Sequence, residues 1–134
     1  MVDLYDTAIL VLRIALGVIF IAHGLQKTFG AFGGPGIEGT SKMLTNLGIQ
    51  PPLLWAWIDA LGELLGGIFV LTGIFPRIGA VLISASMIVA ITKVHWSKGF
   101  FLMQGGFEYA FLALMVSVSI IIAGAGKLSI FNKF

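Results

Sequence analysis

The sequence predicts an all-α integral membrane protein, a four-helix bundle with a short interfacial helix between helices one and two. Of its 134 residues, 58% are hydrophobic and only 10% are charged, whereas soluble domains carry about 25% charged residues. Because so few charges cannot cover a water-exposed surface, lipid is the expected solvent. Apolar runs recur four times, each near the length of about 20 residues that spans a bilayer.

The four predicted spans lie within one domain, 1–134, and cover residues 7–28, 53–75, 77–95 and 103–125. Pro76 separates the second span from the third, and proline disfavours helix at the residue before it. We therefore expect a tight reversal that makes these two helices antiparallel neighbours. The first span follows Asp3 and Asp6 rather than the Lys or Arg of a secretion signal, so it is interpreted as permanent.

Residues 29–52 form the longest connection, and their first half is rich in glycine. The second half contains SKMLTNLG, which predicts a short helix with Thr40 or Ser41 as N-cap and Gly48 as its C-terminal stop. One face of this helix is apolar and carries Met43, Leu44 and Leu47. We interpret it as an interfacial helix over the mouth of the bundle; an ordered surface loop is the alternative.

The composition excludes several kinds of chemistry. The chain has no cysteine, which rules out disulfides, thiol catalysis and iron–sulfur clusters. A net charge of +2 gives no nucleic-acid footprint. We predict neither a metal site nor a covalently bound cofactor. A haem ligated by His23 and His95, or a metal ligated by His23, Glu63 and Glu108, is conceivable from the residue types.

Ionisable side chains occur on all four spans and lie towards the side opposite the termini. His23 and Lys27 are four residues apart and share a helix face, as do Asp59 and Glu63 on the next, antiparallel helix. Charged groups inside a membrane are costly and normally face the bundle interior in pairs. We therefore predict that these faces meet, within a ligand pocket formed by His23, Lys27, Asp59, Glu63, Lys93, Glu108 and Tyr109.

Two interpretations of this cluster remain open. Imidazole and ammonium groups can bind a polar head group or a quinone carbonyl, or the cluster can be a salt-bridge network that fixes helix register. Glu63, near the midplane, is either a proton relay or the partner of Arg13 in a structural ion pair, about 7 Å away along the axis. The pairs Ser84/Ser86 and Ser117/Ser119 are interpreted as helix-packing residues.

Membrane orientation rests on the positions of the basic residues. Four spans put both termini on one side, here side A, with Arg77, Lys127 and Lys133; the opposite side B carries Lys27, Lys42, Lys93 and Lys98. If Lys27 and Lys93 are held inside the bundle, side A has the excess and is cytoplasmic. We thus expect a multi-pass protein of the cell membrane with cytoplasmic termini. An aromatic belt marks side B, with Trp55, Trp57 and Trp96.

Five segments together resemble the DoxX family of small four-helix membrane proteins. They are LRIALGVIFIAHGLQKTFG at 12–30, LGELLGGIFVLTGIFPRIGA at 61–80, VAITKVHWSKGFF at 89–101, GGFEYAFLAL at 105–114 and GAGKLSI at 124–130. In the last segment Ala125 stands where the family usually has proline. The HGxxK element, the glutamate before a Gly-Gly pair and the glutamate–tyrosine pair carry the resemblance jointly.

The resemblance implies a link to membrane quinol oxidase and thiosulfate:quinone oxidoreductase complexes, but no particular substrate. Our leading hypothesis is a redox-associated membrane protein that binds a quinone or a similar lipophilic molecule in the predicted pocket. Its partners would be the lipid bilayer and either further copies of the chain or an oxidoreductase subunit, without nucleic acid. The alternatives are a non-catalytic scaffold subunit with a structural polar network, and an oligomeric transporter or proton pathway.

Overall fold

The computed structural model describes residues 2–130, and this part of the chain is all-helical, without strands. The α-helices are α1 (Leu4–Phe29), α2 (Gly36–Asn46), α3 (Pro52–Thr72), α4 (Pro76–Val89) and α5 (Glu108–Ala123). A π-helical turn, Ala90–His95, continues α4, and short 3₁₀ turns lie at Ala31–Gly33, Trp96–Lys98 and Leu102–Gln104. Lys133, counted in the predicted orientation, lies outside the described residues.

Among the residues that the structure describes, three helical segments are long and apolar enough to cross a membrane: Leu4–Phe29, Pro52–Thr72 and Pro76–Lys98. The fourth, α5, is apolar but has only 16 residues. Helix α1 packs along α3, α3 along α4 and α4 along α5, and α1 also contacts α5. The core between them is formed by Leu16, Phe20, Val70, Ala80, Ile83, Met87, Ala110, Ala113 and Ile120.

Glycines set the register of α1 against α3. A Cβ added at Gly24 would lie 2.6 Å from the backbone of Leu64, and one at Gly17 would lie 2.7 Å from Leu71 Cβ. From the other side, a Cβ at Gly67 would lie 2.7 Å from Ile21 N. Small residues allow helix backbones to approach this closely. In these contacts the residue number rises along α1 while that of the partner falls along α3, so the two helices are antiparallel.

The predicted reversal between the second and third helices is present, although α3 ends at Thr72 rather than at residue 75. Gly73 adopts φ +80 and caps α3, and Pro76 occupies the first turn of α4. Proline suits that position because the first helical N–H groups have no partner within the helix. Beyond the reversal, Gly66 of α3 packs on the backbone of Gly79 of α4.

Helix α2 is longer than predicted and begins at Gly36. Thr40 is therefore not an N-cap; it lies inside the helix and is 1% exposed. Its hydroxyl lies 2.8 Å from Gly36 O, its main acceptor, and 3.3 Å from Lys27 O. The predicted stop is correct, since Gly48 adopts φ +78 directly after the last turn. The Thr40 contact attaches α2 to the end of α1.

The last helix begins at Glu108, five residues later than predicted, because residues 99–107 fold back on themselves. Phe107 N donates to Gly99 O at 3.0 Å and Glu108 N to Phe100 O at 2.9 Å. Gly106 passes so close to residues 99 and 100 that an added Cβ would clash with the backbone of Phe100. Apolar composition continues through the turn, which is why the run appeared to be one helix.

The segment after α5 packs against the side A end of the bundle. Lys127 N donates to Asp6 Oδ1 at 3.0 Å, and Ile130 N donates to Thr72 O at 3.0 Å. The start of α1, the end of α3 and the end of α5 therefore meet at one end. The Lys27 end of α1 and helix α2 lie at the other.

Candidate functional site

The centre of the candidate site is one ammonium group between two carboxyl groups. Lys27 Nζ lies 2.8 Å from Asp59 Oδ2 and 2.7 Å from Glu63 Oε2. Glu63 is only 1% exposed, while the Lys27 and Asp59 side chains are 21% and 23% exposed. The glycine-set register explains the pairing, because Lys27 lies one turn beyond Gly24 and so falls between the two acidic positions of α3. These contacts are those predicted for Lys27.

Ser86 of α4 also belongs to this polar cluster, contrary to its interpretation as a packing residue. Its hydroxyl lies 2.8 Å from Asp59 Oδ1 and 3.4 Å from Glu63 Oε1. A hydroxyl has a single proton to donate, so the nearer Asp59 oxygen is its main acceptor. Three helices thus contribute to one hydrogen-bonded group of side chains: Lys27, Asp59, Glu63 and Ser86.

Arg13 does not form the predicted ion pair with Glu63. Its guanidinium is buried, 1% exposed, and donates to four backbone carbonyls instead. The acceptors are Val70 O at 2.9 Å, Leu71 O at 3.0 Å, Ala125 O at 3.0 Å and Leu128 O at 2.6 Å. The register places Arg13 beside the end of α3, where helix carbonyls lack partners, and Glu63 is paired with Lys27.

His23 contacts an aromatic ring rather than a carboxylate. Its imidazole stacks on Tyr109 of α5, with ring centroids 5.8 Å apart and planes 15° apart, and also packs on Phe20. The Tyr109 hydroxyl is buried and has no hydrogen-bond partner among the described residues. Glu108 accepts from Leu102 N at 3.1 Å and so caps the turn before α5.

A cavity of about 400 Å³ lies beside the polar cluster, between α2, α3 and α4. Its polar lining consists of Lys27, Asp59, Ser86 and Lys93. The remaining wall is almost entirely apolar, and the predicted apolar face of α2 forms its roof. The apolar and small lining residues are Met43, Leu44, Leu47, Ile49, Trp55, Ile58, Gly62, Leu82, Ala85, Val89, Ala90 and Val94.

The predicted pocket residues are thus divided between two surfaces. Lys27, Asp59 and Lys93 line the cavity, whereas Glu108 and Tyr109 line a separate groove with Phe100, Leu102, Phe111 and Leu112. Glu63 does not line the cavity, but it contacts two residues that do, Lys27 and Ser86. The sequence does not predict that Ser86 and Trp55 line the cavity; its pattern places Trp55 only in an aromatic belt.

The two histidines have separate surroundings. His95 Nδ1 is hydrogen-bonded with Gly105 O at 2.7 Å, while His23 stacks on Tyr109. The two imidazoles are therefore not brought together as ligands of the haem that the sequence leaves conceivable for His23 and His95. Within residues 2–130, no three His, Asp or Glu side chains are grouped as metal ligands, so the His23, Glu63 and Glu108 set is not brought together either.

The DoxX family model matches residues 8–96, which carry both the Lys27–Asp59–Glu63 group and the cavity. The chain belongs to the DoxX family. This confirms the resemblance that the sequence motifs indicated. Three membrane-capable helices and the family assignment together identify a membrane protein.

Two curated relatives extend over nearly the whole chain. A Bacillus subtilis (strain 168) protein named "Putative oxidoreductase CatD" is 32% identical over 126 residues, covering 94% of this chain and 86% of the relative. A Haemophilus influenzae protein named "Uncharacterized protein" is 32% identical over 130 residues, covering 92% of this chain and 87% of the relative. No solved structure matches the chain.

Proposed function

We propose that this DoxX protein binds a quinone, or a similar lipophilic molecule with a carbonyl head group, in the cavity between α2, α3 and α4. The observation that carries the proposal is the composition of the cavity wall, which is apolar except where Lys27, Asp59, Ser86 and Lys93 reach it. Sites for small lipophilic molecules typically have this form, with volumes of about 300–1,000 Å³ and a few placed polar groups.

Lys27 supplies the chemistry for a carbonyl ligand. An ammonium group has three N–H donors. Lys27 donates one to Asp59 and lies within ion-pair distance of Glu63, and we propose that a further N–H donates to a carbonyl oxygen in the cavity. Asp59 and Glu63 hold the ammonium group at the wall, and Ser86 holds Asp59 through a hydrogen bond. Carboxyl groups beside a bound quinone would exchange the protons that accompany its reduction and oxidation.

The quinone would be the redox-active group, and a membrane oxidoreductase subunit would exchange electrons with it. The name of the Bacillus subtilis relative supports an oxidoreductase association. Because the chain has no cysteine, it provides no thiolate ligands for an iron–sulfur centre of its own. The protein's own task is to bind, orient and protonate the ligand.

The membrane placement belongs to the same proposal. Helix α5 serves as the fourth span, since it runs from the Lys27 end of the bundle to the end where Asp6 meets Lys127. Its 16 residues cover about 24 Å, and the apolar turn 99–107 fills the rest of the hydrocarbon layer. Helix α2 lies at the membrane interface of side B, and both termini are cytoplasmic.

The binding test uses the protein in lipid nanodiscs and a fully substituted dimethoxybenzoquinone with a decyl tail. Trp55 lines the cavity, so its fluorescence reports binding when Trp57 and Trp96 are replaced by phenylalanine. We expect saturable quenching of Trp55. The double variant Lys27→Met/Glu63→Gln, which avoids leaving Glu63 charged and unpaired, should bind about tenfold or more weakly, because a hydrogen bond from a charged donor contributes about 1.5–3 kcal/mol.

Lys42→Met is the matched control, because Lys42 is exposed on α2 and does not line the cavity; it should bind like the parent protein. Non-saturable quenching of the parent would contradict quinone binding and favour the scaffold hypothesis. Equal affinity of the parent and the double variant would show that Lys27 does not hold the head group.

A further inference from the structure

The cavity opens sideways, towards the surface of the bundle that faces lipid. Ile58, Ala85 and Val89 line it and are nevertheless exposed. These side chains lie on the outer face of the α3–α4 pair, and in a membrane this face meets acyl chains. The cavity is therefore a groove along two helices rather than a chamber inside the four-helix core.

The top of the groove is covered. Met43 and Leu44 of α2 form the roof together with Leu47, which follows the helix, and the buried Thr40 hydroxyl lies 3.3 Å from Lys27 O. This roof lies between the groove and the water on side B. A ligand that arrives sideways from the bilayer does not have to pass this roof.

The floor of the groove consists of small residues that leave room for a chain. A Cβ added at Gly62 would meet no atom within 4 Å, although the other glycines of α3 pack against neighbouring helices. Ala85 lies opposite on α4. Along α4 and the π-helical turn that continues it, the lining runs from Leu82 to Val94, about 18 Å. Ser86 lies part-way along with apolar positions on both sides, and Lys93 lies near the side B end.

We propose that the ligand enters sideways from the bilayer and that its aliphatic tail lies in this groove, over Gly62 and Ala85. The ring then lies beneath α2, against Lys27, and the tail leaves between α3 and α4 into the hydrocarbon layer. This inference rests on the proposed function and specifies its ligand class as membrane-borne molecules with a tail. A phospholipid acyl chain in the groove is the competing occupant.

The test compares two quinones with the same ring, one with a decyl tail and one with a methyl group in its place. Both are titrated into nanodiscs that contain the protein with Trp55 as its remaining tryptophan. Their affinities are expressed as mole fractions of quinone in the lipid, which corrects for the different partitioning of the two quinones into the bilayer. The tailed quinone should bind about tenfold more tightly, a difference of about 1.4 kcal/mol. Ala85→Phe should remove this advantage and leave the affinity of the tail-free quinone unchanged.

Val81→Phe is the control, because Val81 is exposed one turn away on α4 and does not line the groove; it should keep the tail advantage. Gly62→Leu is a second groove-filling variant, since its position offers open space, and thermal melting checks that each variant is folded. Lipid extraction followed by mass spectrometry shows whether a phospholipid copurifies.

The outcomes separate this inference from the proposed function. Equal affinities for the two quinones in the parent protein would overturn the tail assignment and leave the Lys27 head-group site intact. Equal weakening of both quinones by Ala85→Phe would also overturn it, since the ring would then lie over Ala85. A phospholipid that copurifies with the parent and is lost in Ala85→Phe would favour the competing occupant. Failure of both quinones to bind would contradict the proposed function itself.

Discussion

At the scale of single residues, Arg13 carries a large share of the structural work at side A. Its guanidinium joins α1 to carbonyls of α3 and of the segment after α5. In a low-dielectric interior each acceptor left unpaired costs about 1–3 kcal/mol. We expect Arg13→Met to lower the free energy of unfolding by about 3 kcal/mol or more, measured by denaturant titration in micelles.

Arg77→Met provides the matched comparison, because Arg77 is exposed and donates to Ile121 O and Ile122 O at the end of α5. Its loss should be clearly smaller, since water can replace the donor. Arg13→Lys should resemble Arg13→Met, because one ammonium group cannot reproduce the planar fork of a guanidinium. Similar small losses for Arg13→Met and Arg77→Met would show that the four carbonyl contacts contribute little to stability.

The polar residues also show what could be predicted from the sequence. The Lys27 contacts were predicted because two pairs at four-residue spacing on consecutive antiparallel helices have few other ways to meet. Ser86 was misinterpreted because a serine in an apolar helix commonly bonds its own preceding turn, as Ser117 and Ser119 do. The partners of Arg13 were missed because backbone carbonyls have no sequence signature, whereas Glu63 was a visible acidic residue.

At the scale of helices, the contact between α1 and α3 determines whether the polar cluster forms. Gly24 of α1 lies against the backbone of Leu64 of α3. Gly62, two residues before Leu64 on α3, faces open space. Gly24→Ala should push α1 away from α3 and destabilise the protein by about 1–3 kcal/mol. Because Lys27 lies one turn further along α1, this variant should also weaken quinone binding in the Trp55 assay.

Gly62→Ala is the control for that prediction. It adds the same methyl group to a helix without a clash and should be neutral or stabilising by up to about 1 kcal/mol through helix propensity. If the two alanine variants had the same stability, the close approach of α1 and α3 at Gly24 would not be required for the fold.

The all-helical class could be predicted from the sequence, but several helix ends could not. Apolar composition alone does not distinguish a helix from the apolar turn at 99–107, so α5 was predicted to begin too early. The start of α2 at Gly36 was missed because glycine is a poor helix former, and Thr40 offered a more typical cap. At these two helix starts Glu108 N donates to Phe100 O and the Thr40 hydroxyl donates mainly to Gly36 O, and neither contact has a sequence signature.

At the scale of the whole molecule, the number of membrane crossings and their direction decide from which leaflet the proposed ligand would enter. The groove lies in the side B half, whereas Val2 and Ile130 belong to the end where Asp6 and Thr72 meet the segment after α5. If α5 crosses the membrane, Val2 and Ile130 are on the same side and Ser97, in the turn after α4, is on the other. If α5 does not cross, Ile130 shares the side of Ser97.

The absence of cysteine makes this arrangement directly measurable, because each single-cysteine variant has one reactive thiol. We expect a membrane-impermeant maleimide to label Ser97→Cys in intact cells, and to label Val2→Cys and Ile130→Cys only after the membrane is opened. All three positions are exposed in the structure, so accessibility reports the side of the membrane. Labelling of Ile130→Cys together with Ser97→Cys would exclude α5 as a span. Labelling of Val2→Cys in intact cells would reverse the orientation and place the proposed quinone groove in the cytoplasmic leaflet.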